Sequence, residues 1–579
     1  MKRRPGIAGG TPASAATRAG RQGAERARSA GHLALLVVVV VMALAAMVRW
    51  RLVDMPLERD EGEYAYAGQL ILQGIPPYQQ AYNMKFPGTY YAYALSMGLF
   101  GETPRGIRLG LILVNAGTIL LLFALGRRLL GSFGGAVAAV SFALLSLDRW
   151  NLGVFAHATH FVLPPALAGL YLLIRAPDTR RARWLLASGA LLGIAVLMKQ
   201  HAIVFLPLGA LLLAWEEVER GRSEWRAVLS DFALLAAGAL VPAALLCAVL
   251  LGQGVFGKFW FWTFDYARQY VSEVHASRFL PNLESKFVRT TQAAWLFWVA
   301  GGVGFIALWV GRWPARVRVW VPGLLVASFV AICPGLYFRD HYFILLLPAL
   351  ALLVAVAFVG AARLLALALP VPLARLASAA LFVVLSGIVT LGQAEFLFAM
   401  TPRTILRTCY GACPFTESVE VARYIREHTT RADRIAVLGS EPQIYFYADR
   451  LSATGYIYVY PLTEPQPYAS SMQDEMMAEI EAAHPRYLVF VQEPSSWNLT
   501  PASDQRIMAW AWRYVSTCYR LVGITDVLAP ESRYVWGEQV QGYKPVSPFV
   551  IFVYEQKGDA PCAVSGVDKA VGQASPSRQ

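Results

Sequence analysis

The chain has 579 residues, 56% of them apolar and only 15% charged, with a mean hydropathy of +0.45; this balance excludes a soluble globular protein and indicates a chain that crosses a membrane many times. The formal net charge is +13, yet the basic residues fall in short clusters between apolar runs, as membrane orientation requires, so nucleic acid is set aside as a partner. Six cysteines without any Cys-x-x-Cys or zinc-type spacing exclude a disulfide scaffold.

Residues 1–31 are rich in Arg, Ala and Gly, lack hydrophobic periodicity, and read as a disordered basic tail on the cytoplasmic side. The run from His32 to Val48 reads as a first transmembrane helix, because no small-residue cleavage site follows it and more spans come later. Further apolar runs near 106–126, 131–147, 160–174, 184–198, 201–215, 228–251, 293–311, 320–335, 342–362 and 376–392 bring the expected total to eleven spans over residues 32–392. Arg127-Arg128, Arg180-Arg181-Arg183, Arg220-Arg222-Arg226, Arg312-Arg316-Arg318, and Arg363 with Arg375 lie in alternate connections, on the side of the basic tail. The opposite, outer face then receives the loop 51–105, the loop 148–160, the link 198–201, the loop 252–292, the turn 336–342 and everything after about residue 393.

The first outer loop carries Arg59-Asp60-Glu61-Gly62-Glu63-Tyr64, a helix-length piece ending in Gly-Ile-Pro-Pro, and then Lys85-Phe86-Pro87-Gly88. Carboxylates at a membrane edge are costly unless they have a task, and a nearby lysine is a natural partner for phosphate. The plainer reading is that Asp60-Glu61 caps the helix that follows. Most other polar residues of the membrane part fall on the same face: Asp148, Arg149, His157, His160, Lys199, His201, Arg339, Asp340 and His341. A site assembled from several loops accounts for this grouping. His157 and His160, three apart, share a helix face and offer a divalent metal two ligands, with Asp60 or Glu61 completing the set; the alternative is a hydrogen-bonded pair at an interface. Lys199 and His201 either reach a phosphate or only supply the polarity that a tight turn needs. The aromatic cluster Phe256, Phe259, Trp260, Phe261, Trp262, Phe264 and Tyr266 reads as an interfacial belt, and a wall for a prenyl chain is compatible with it.

From residue 393 to 557 apolar runs become short and interleaved with charge. Helices over 418–428 and 473–483 and strands over 434–438 and 487–492 predict a small α/β domain that covers the active face or receives an acceptor. Gly439-Ser440-Glu441-Pro442 lacks the glycine spacing of a nucleotide-phosphate loop. Cys409 and Cys413 either pair with each other or with Cys518, or remain free thiols, and residues 558–579 read as a disordered tail.

The acidic motif just after the first span, the Lys85-Phe86-Pro87 element, the many spans and the outer C-terminal domain together resemble the GT-C glycosyltransferases. Among these the chain is most similar to the bacterial branch related to protein O-mannosyltransferases and to the aminoarabinose transferase that modifies lipid A (glycosyltransferase families 39 and 83), over residues 32–200 and more diffusely to 392. The resemblance implies a polytopic α-helical enzyme of the bacterial cytoplasmic membrane that takes a sugar from a polyprenyl-phosphate donor to a lipid, glycan or protein acceptor on the periplasmic or extracellular side. It also implies that Asp60 is the catalytic base with Glu61 orienting it or the acceptor, and that Lys85 holds the donor phosphate, with Arg339 a second candidate. The second outer loop departs from the family: Asp148, His157 or His160 stands where related sequences often carry another acidic residue. No second carboxylate is placed as a nucleophile, so a single inverting displacement is expected. The alternatives are an oligosaccharide transferase or ligase using a lipid pyrophosphate, and a transporter or lipid-sugar flippase. Nearly charge-free spans and the lack of an internal repeat speak against transport.

Overall fold

The computed structural model describes residues 12–175, 181–221, 224–558 and 562–564, so residues 1–11, 559–561 and 565–579 of the two expected tails lie outside it. Among the described residues ten helices are long and apolar enough to cross a membrane. One of them, Pro104–Leu145, is a hairpin: Gly131 adopts φ 80°, a conformation open to glycine, and ends the helical run there. The two halves lie against each other, since a Cβ on Gly135 would sit 2.7 Å from the backbone nitrogen of Arg127. Counting both halves gives eleven segments, in agreement with the hydropathy pattern. The first helix spans Pro12–Trp50 and so begins within the stretch expected to be an irregular tail; Ala and Arg are strong helix formers, which favours extending the span.

The helix Leu347–Leu365 forms the centre of the membrane part, and 89% of its most apolar window is buried. It packs against Trp295–Val310, where Gly304 brings backbone against backbone: a Cβ there would sit 1.9 Å from the Leu353 carbonyl oxygen. Two short helices, Arg59–Leu72 and Gly88–Phe100, lie between the spans and the C-terminal domain.

That domain is built on a six-stranded sheet of β1 (Arg434–Leu438), β2 (Leu451–Ser452), β3 (Tyr487–Gln492), β4 (Tyr519–Asp526), β5 (Arg533–Trp536) and β6 (Val550–Gln556) in the order β2-β1-β3-β6-β4-β5. β1 runs parallel to β2 and β3, and the β3–β6, β6–β4 and β4–β5 pairs are antiparallel. The expected strands and helices are present, the helices as Phe415–Glu427 and Ala469–Ala483. Of the two readings for Cys409 and Cys413 the alternative holds, since both are free thiols, and Cys518 bonds to Cys562 instead. The Cys409 sulfur faces the Arg149 carbonyl and the Cys413 sulfur faces Ser495 Oγ. The bond also brings residues 562–564, counted from sequence with the tail, onto the end of the helix Arg506–Cys518.

The domain is fastened directly to the segment that follows the first span. A Cβ on Gly62 would sit 2.7 Å from the Gln443 backbone nitrogen, so only glycine permits this approach. Tyr66 accepts from the Ser452 amide at 2.8 Å, and Tyr447 accepts from the Leu57 amide at 2.8 Å. Arg59 donates to the Ser440 carbonyl at 2.7 Å, Tyr460 Oη at 2.6 Å, the Ser495 carbonyl at 2.9 Å and Glu441 Oε1 at 2.8 Å.

Candidate active site

A cavity of about 1110 Å³ opens between the ends of the spans and the C-terminal domain. Asp60, Lys85, His157, Lys199, His201, Arg339 and His341 line it from the membrane part, and Tyr458, Tyr460 and Glu464 from the domain. The helix Arg59–Leu72 presents Asp60 to this space. Its N-cap is Glu58, whose carboxylate accepts from the Asp60 amide at 3.0 Å and the Glu61 amide at 2.8 Å, while Glu61 reaches back to the Glu58 amide at 3.2 Å. Glu58 and Glu61 therefore do the capping, which leaves the Asp60 side chain for the cavity.

Glu61 is fully buried and held by both terminal nitrogens of Arg108 and by the Ala156 amide. It does not line the cavity. Asp60 Oδ1 accepts from Lys85 Nζ at 2.8 Å, and the same ammonium donates to Glu63 Oε2 at 2.5 Å. Burial works against charge on Asp60, but the Lys85 ammonium, together with His341 and His157, outweighs it and holds the carboxyl well below the usual carboxylate range. Burial likewise opposes charge on Lys85, and Asp60 and Glu63 overcome it, keeping the ammonium well above the ordinary lysine value. Glu63 also accepts from Tyr90 Oη at 2.6 Å, which fixes the lysine's second anchor.

Further cations line the cavity, Lys199 and Arg339 among them. Lys199 lies over the Tyr342 ring at 4.6 Å, and burial followed by the Lys85 charge pushes it down to about 8. Arg339 lies over Tyr337 at 5.0 Å and bonds to Tyr270. Lys85, Lys199 and Arg339 together surround the space with positive charge.

The histidines sort differently from the sequence expectation. His157 stacks on His341 with ring centroids 4.1 Å apart, and its Nδ1 lies 4.0 Å from Asp60 Oδ2. Ligand atoms of Asp60, His157 and His341 fall within 4.8 Å of one another. Burial pushes His157 down to about 3, leaving it neutral, and its Nδ1 is buried without a hydrogen-bond partner while Nε2 contacts Tyr410 Oη at 3.2 Å. One carboxylate and two imidazoles, one with an orphaned nitrogen, fit a divalent ion that accepts mixed nitrogen and oxygen donors. His160 is not part of this group: His157 precedes the helix Ala158–Arg175 that contains His160, so the shared-face argument fails, and His160 bonds to the Gly153 backbone. His201 is tied to the Ala331 carbonyl at 2.8 Å and packs edge-on to Tyr342. Asp148 is buried away from the cavity, accepting from the Trp150 amide at 2.8 Å, and burial raises it to about 6.

Glu63 was not among the expected residues, although its spacing from Asp60 places both on one helix face. The domain tyrosines Tyr458 and Tyr460 were also missed, and Lys85 lies over the Tyr458 ring at 5.5 Å. The aromatic cluster does border the cavity, through Phe264 and Tyr266, and Tyr266 donates to Glu464.

The family described as dolichyl-phosphate-mannose-protein mannosyltransferase matches over residues 84–261. The crystal structure of ArnT from Cupriavidus metallidurans bound to undecaprenyl phosphate is similar with a TM-score of 0.56 at 17% identity, covering 89% of this chain and 97% of that chain. Its apo form gives 0.56 at 16% identity over the same shares. The Archaeoglobus fulgidus oligosaccharyltransferase tethered with an acceptor peptide containing the NVT sequon gives 0.50 at 14% identity, covering 86% of this chain and 74% of that chain. No curated protein matches by sequence. These likenesses show that the chain has the GT-C fold of membrane glycosyltransferases.

Proposed function

We propose that this multi-pass membrane protein with the GT-C fold is a glycosyltransferase that moves one sugar from a polyprenyl-phosphate donor to a hydroxyl of a lipid, glycan or protein acceptor. The observation that carries the reading is the contact between Asp60 and Lys85, 2.8 Å apart in a cavity that further cations, Lys199 and Arg339 among them, also line. The lipid phosphate bound in the ArnT structure supports the donor class.

The donor phosphate is placed among Lys85, Lys199 and Arg339, where the charge released on the departing phosphate is met by fixed cations. The acceptor oxygen attacks the anomeric carbon as its proton passes to Asp60, and the bond from that carbon to the phosphate oxygen breaks with inversion. Lys85 links the two events. In the free protein it lowers the proton affinity of Asp60; once shared with a phosphate it holds Asp60 less strongly, and the carboxylate becomes a better base. The membrane is the bacterial cytoplasmic membrane, with the site on its outer side.

The triad of Asp60, His157 and His341 favours a second reading, a divalent ion that helps bind a lipid pyrophosphate donor. Such an ion would add positive charge beside the leaving phosphates. The test is transfer by purified protein in detergent from radiolabelled polyprenyl-phosphate sugars to a membrane extract. Wild type is compared with Asp60→Asn and Lys85→Ala, each with and without EDTA. Turnover lost in Asp60→Asn with donor binding retained supports the base. Undiminished turnover in that variant overturns it, and loss with EDTA favours the second reading.

A further inference from the structure

A second cavity, of about 1520 Å³, lies within the membrane-spanning part. It separates the first span (Pro12–Trp50) from the last (Val371–Gly392), and its floor is the second half of the Pro104–Leu145 hairpin and the helix Leu347–Leu365. It exceeds the roughly 300–1,000 Å³ of ordinary small-molecule pockets. Its walls are apolar, with Leu44, Val48, Val140 and Val383 among them. Along the first helix and the turn that ends it the lining runs from Ala30 to Arg51. At 1.5 Å per residue that is about 32 Å, the thickness of a bilayer's hydrocarbon core. The windows of the first and last spans are only 22% and 28% buried, so protein leaves this gap unfilled.

The two ends of the groove differ in charge. At the outer end Arg51 is consumed by the carbonyls of Phe396, Leu397 and Met400. At the arginine-rich end stand Arg363 and Arg375, both exposed. Arg375 has no hydrogen-bond or ion-pair partner among the described residues, and Arg363 has one bond, to the Arg312 carbonyl at 3.2 Å, while resting over Trp313. Spare guanidinium donors at one end of an apolar groove of bilayer length match a lipid whose headgroup is anionic. A zwitterionic headgroup brings its own ammonium toward the same arginines. A polyprenyl phosphate bound in the outer cavity would carry its charge at the wrong end.

We propose that this groove holds an anionic glycerophospholipid of the cytoplasmic leaflet, its phosphate taken by Arg363 and Arg375 and its acyl chains filling the gap between the first and last spans. The lipid ties two loosely packed outer helices to the core of the fold.

The test is native mass spectrometry of the full-length protein released from nanodiscs containing equal parts dioleoyl phosphatidylglycerol and dioleoyl phosphatidylcholine. Wild type is expected to retain the glycerol lipid at least threefold over the choline lipid. The ratio should fall to about one in Arg363→Gln/Arg375→Gln and persist in Arg375→Lys, which guards against a folding defect in the double variant. Ala379→Trp, which fills the groove, should retain neither lipid. An equal ratio in wild type and the double variant, or polyprenyl phosphate displacing phosphatidylglycerol from wild type, overturns the proposal.

Discussion

Asp60 and Glu61, adjacent in the chain, face opposite ways: Asp60 meets Lys85 at 2.8 Å in the cavity, whereas Glu61 is fully buried against Arg108 at the start of a span. A helix turns about 100° per residue, which directs these neighbouring carboxylates to different partners. The division separates chemistry from architecture within a single motif.

The two substitutions should therefore separate as well. Asp60→Asn keeps the shape and most bonds of the site, so turnover should fall by about 10²–10⁴ while the thermal midpoint moves little. Glu61→Gln leaves the Arg108 guanidinium buried without its charge partner, and should cost about 3–5 kcal/mol of stability. Activity per folded molecule should then stay within a few-fold of wild type. Paired melting curves and initial rates check both; a Glu61→Gln protein that melts normally but does not turn over would reverse the assignment.

Lys199 sets an alkaline limit. Burial and Lys85 lower it to about 8, so the ammonium that faces the cavity is charged below that value and neutral above it. Donor affinity should be steady from pH 6.5 to 7.5 and fall as pH rises through about 8, by up to tenfold per unit while the bound phosphate keeps the lysine protonated. Lys199→Arg should remove this limb, because guanidinium does not titrate in the range. Binding of a polyprenyl-phosphate sugar measured at half-unit steps between pH 6.5 and 9.5 checks it.

The Cys518–Cys562 bond closes a loop with a sequence separation of 44, and restricting the unfolded chain over that length contributes about 4 kcal/mol in the chain-entropy picture. Cys562→Ser should lower the thermal midpoint of the protein in detergent, and reductant should lower the wild type to a similar value. Cys409→Ser should leave the reductant effect unchanged, since that thiol is free.

The spans and the position of Asp60 were legible because hydropathy and the alternation of arginines are read over long windows and survive local error. The turn at Gly131 is legible in the same way, as the break between two apolar runs. His341 joining His157 is not, since the pair lies across spans distant in sequence and only helix packing stacks the rings. Tyr458 and Tyr460 were beyond reach for a similar reason: the position of the domain depends on Gly62 meeting Gln443, a contact no local pattern announces. β6, by contrast, reads Val-Ile-Phe-Val-Tyr, a β-branched and aromatic run whose signal was present and passed over.

The Arg59 clasp is expected to couple the C-terminal domain to catalysis. Arg59 is 7% exposed, directly precedes the proposed base, and donates to two carbonyls, a tyrosine and the fully buried Glu441. Lysine cannot span four acceptors from one nitrogen. Arg59→Lys should therefore lower kcat about tenfold or more, through a displaced Asp60, with donor affinity within a few-fold of wild type. Stability will fall too, because Glu441 loses part of its compensation. To separate the two effects, Arg59→Leu can be combined with Glu441→Gln, which removes the stranded charge. The double variant should melt closer to wild type than Arg59→Leu alone and still turn over slowly. If its kcat recovers along with its melting temperature, the clasp only holds the domain on, and the position of Asp60 does not depend on it.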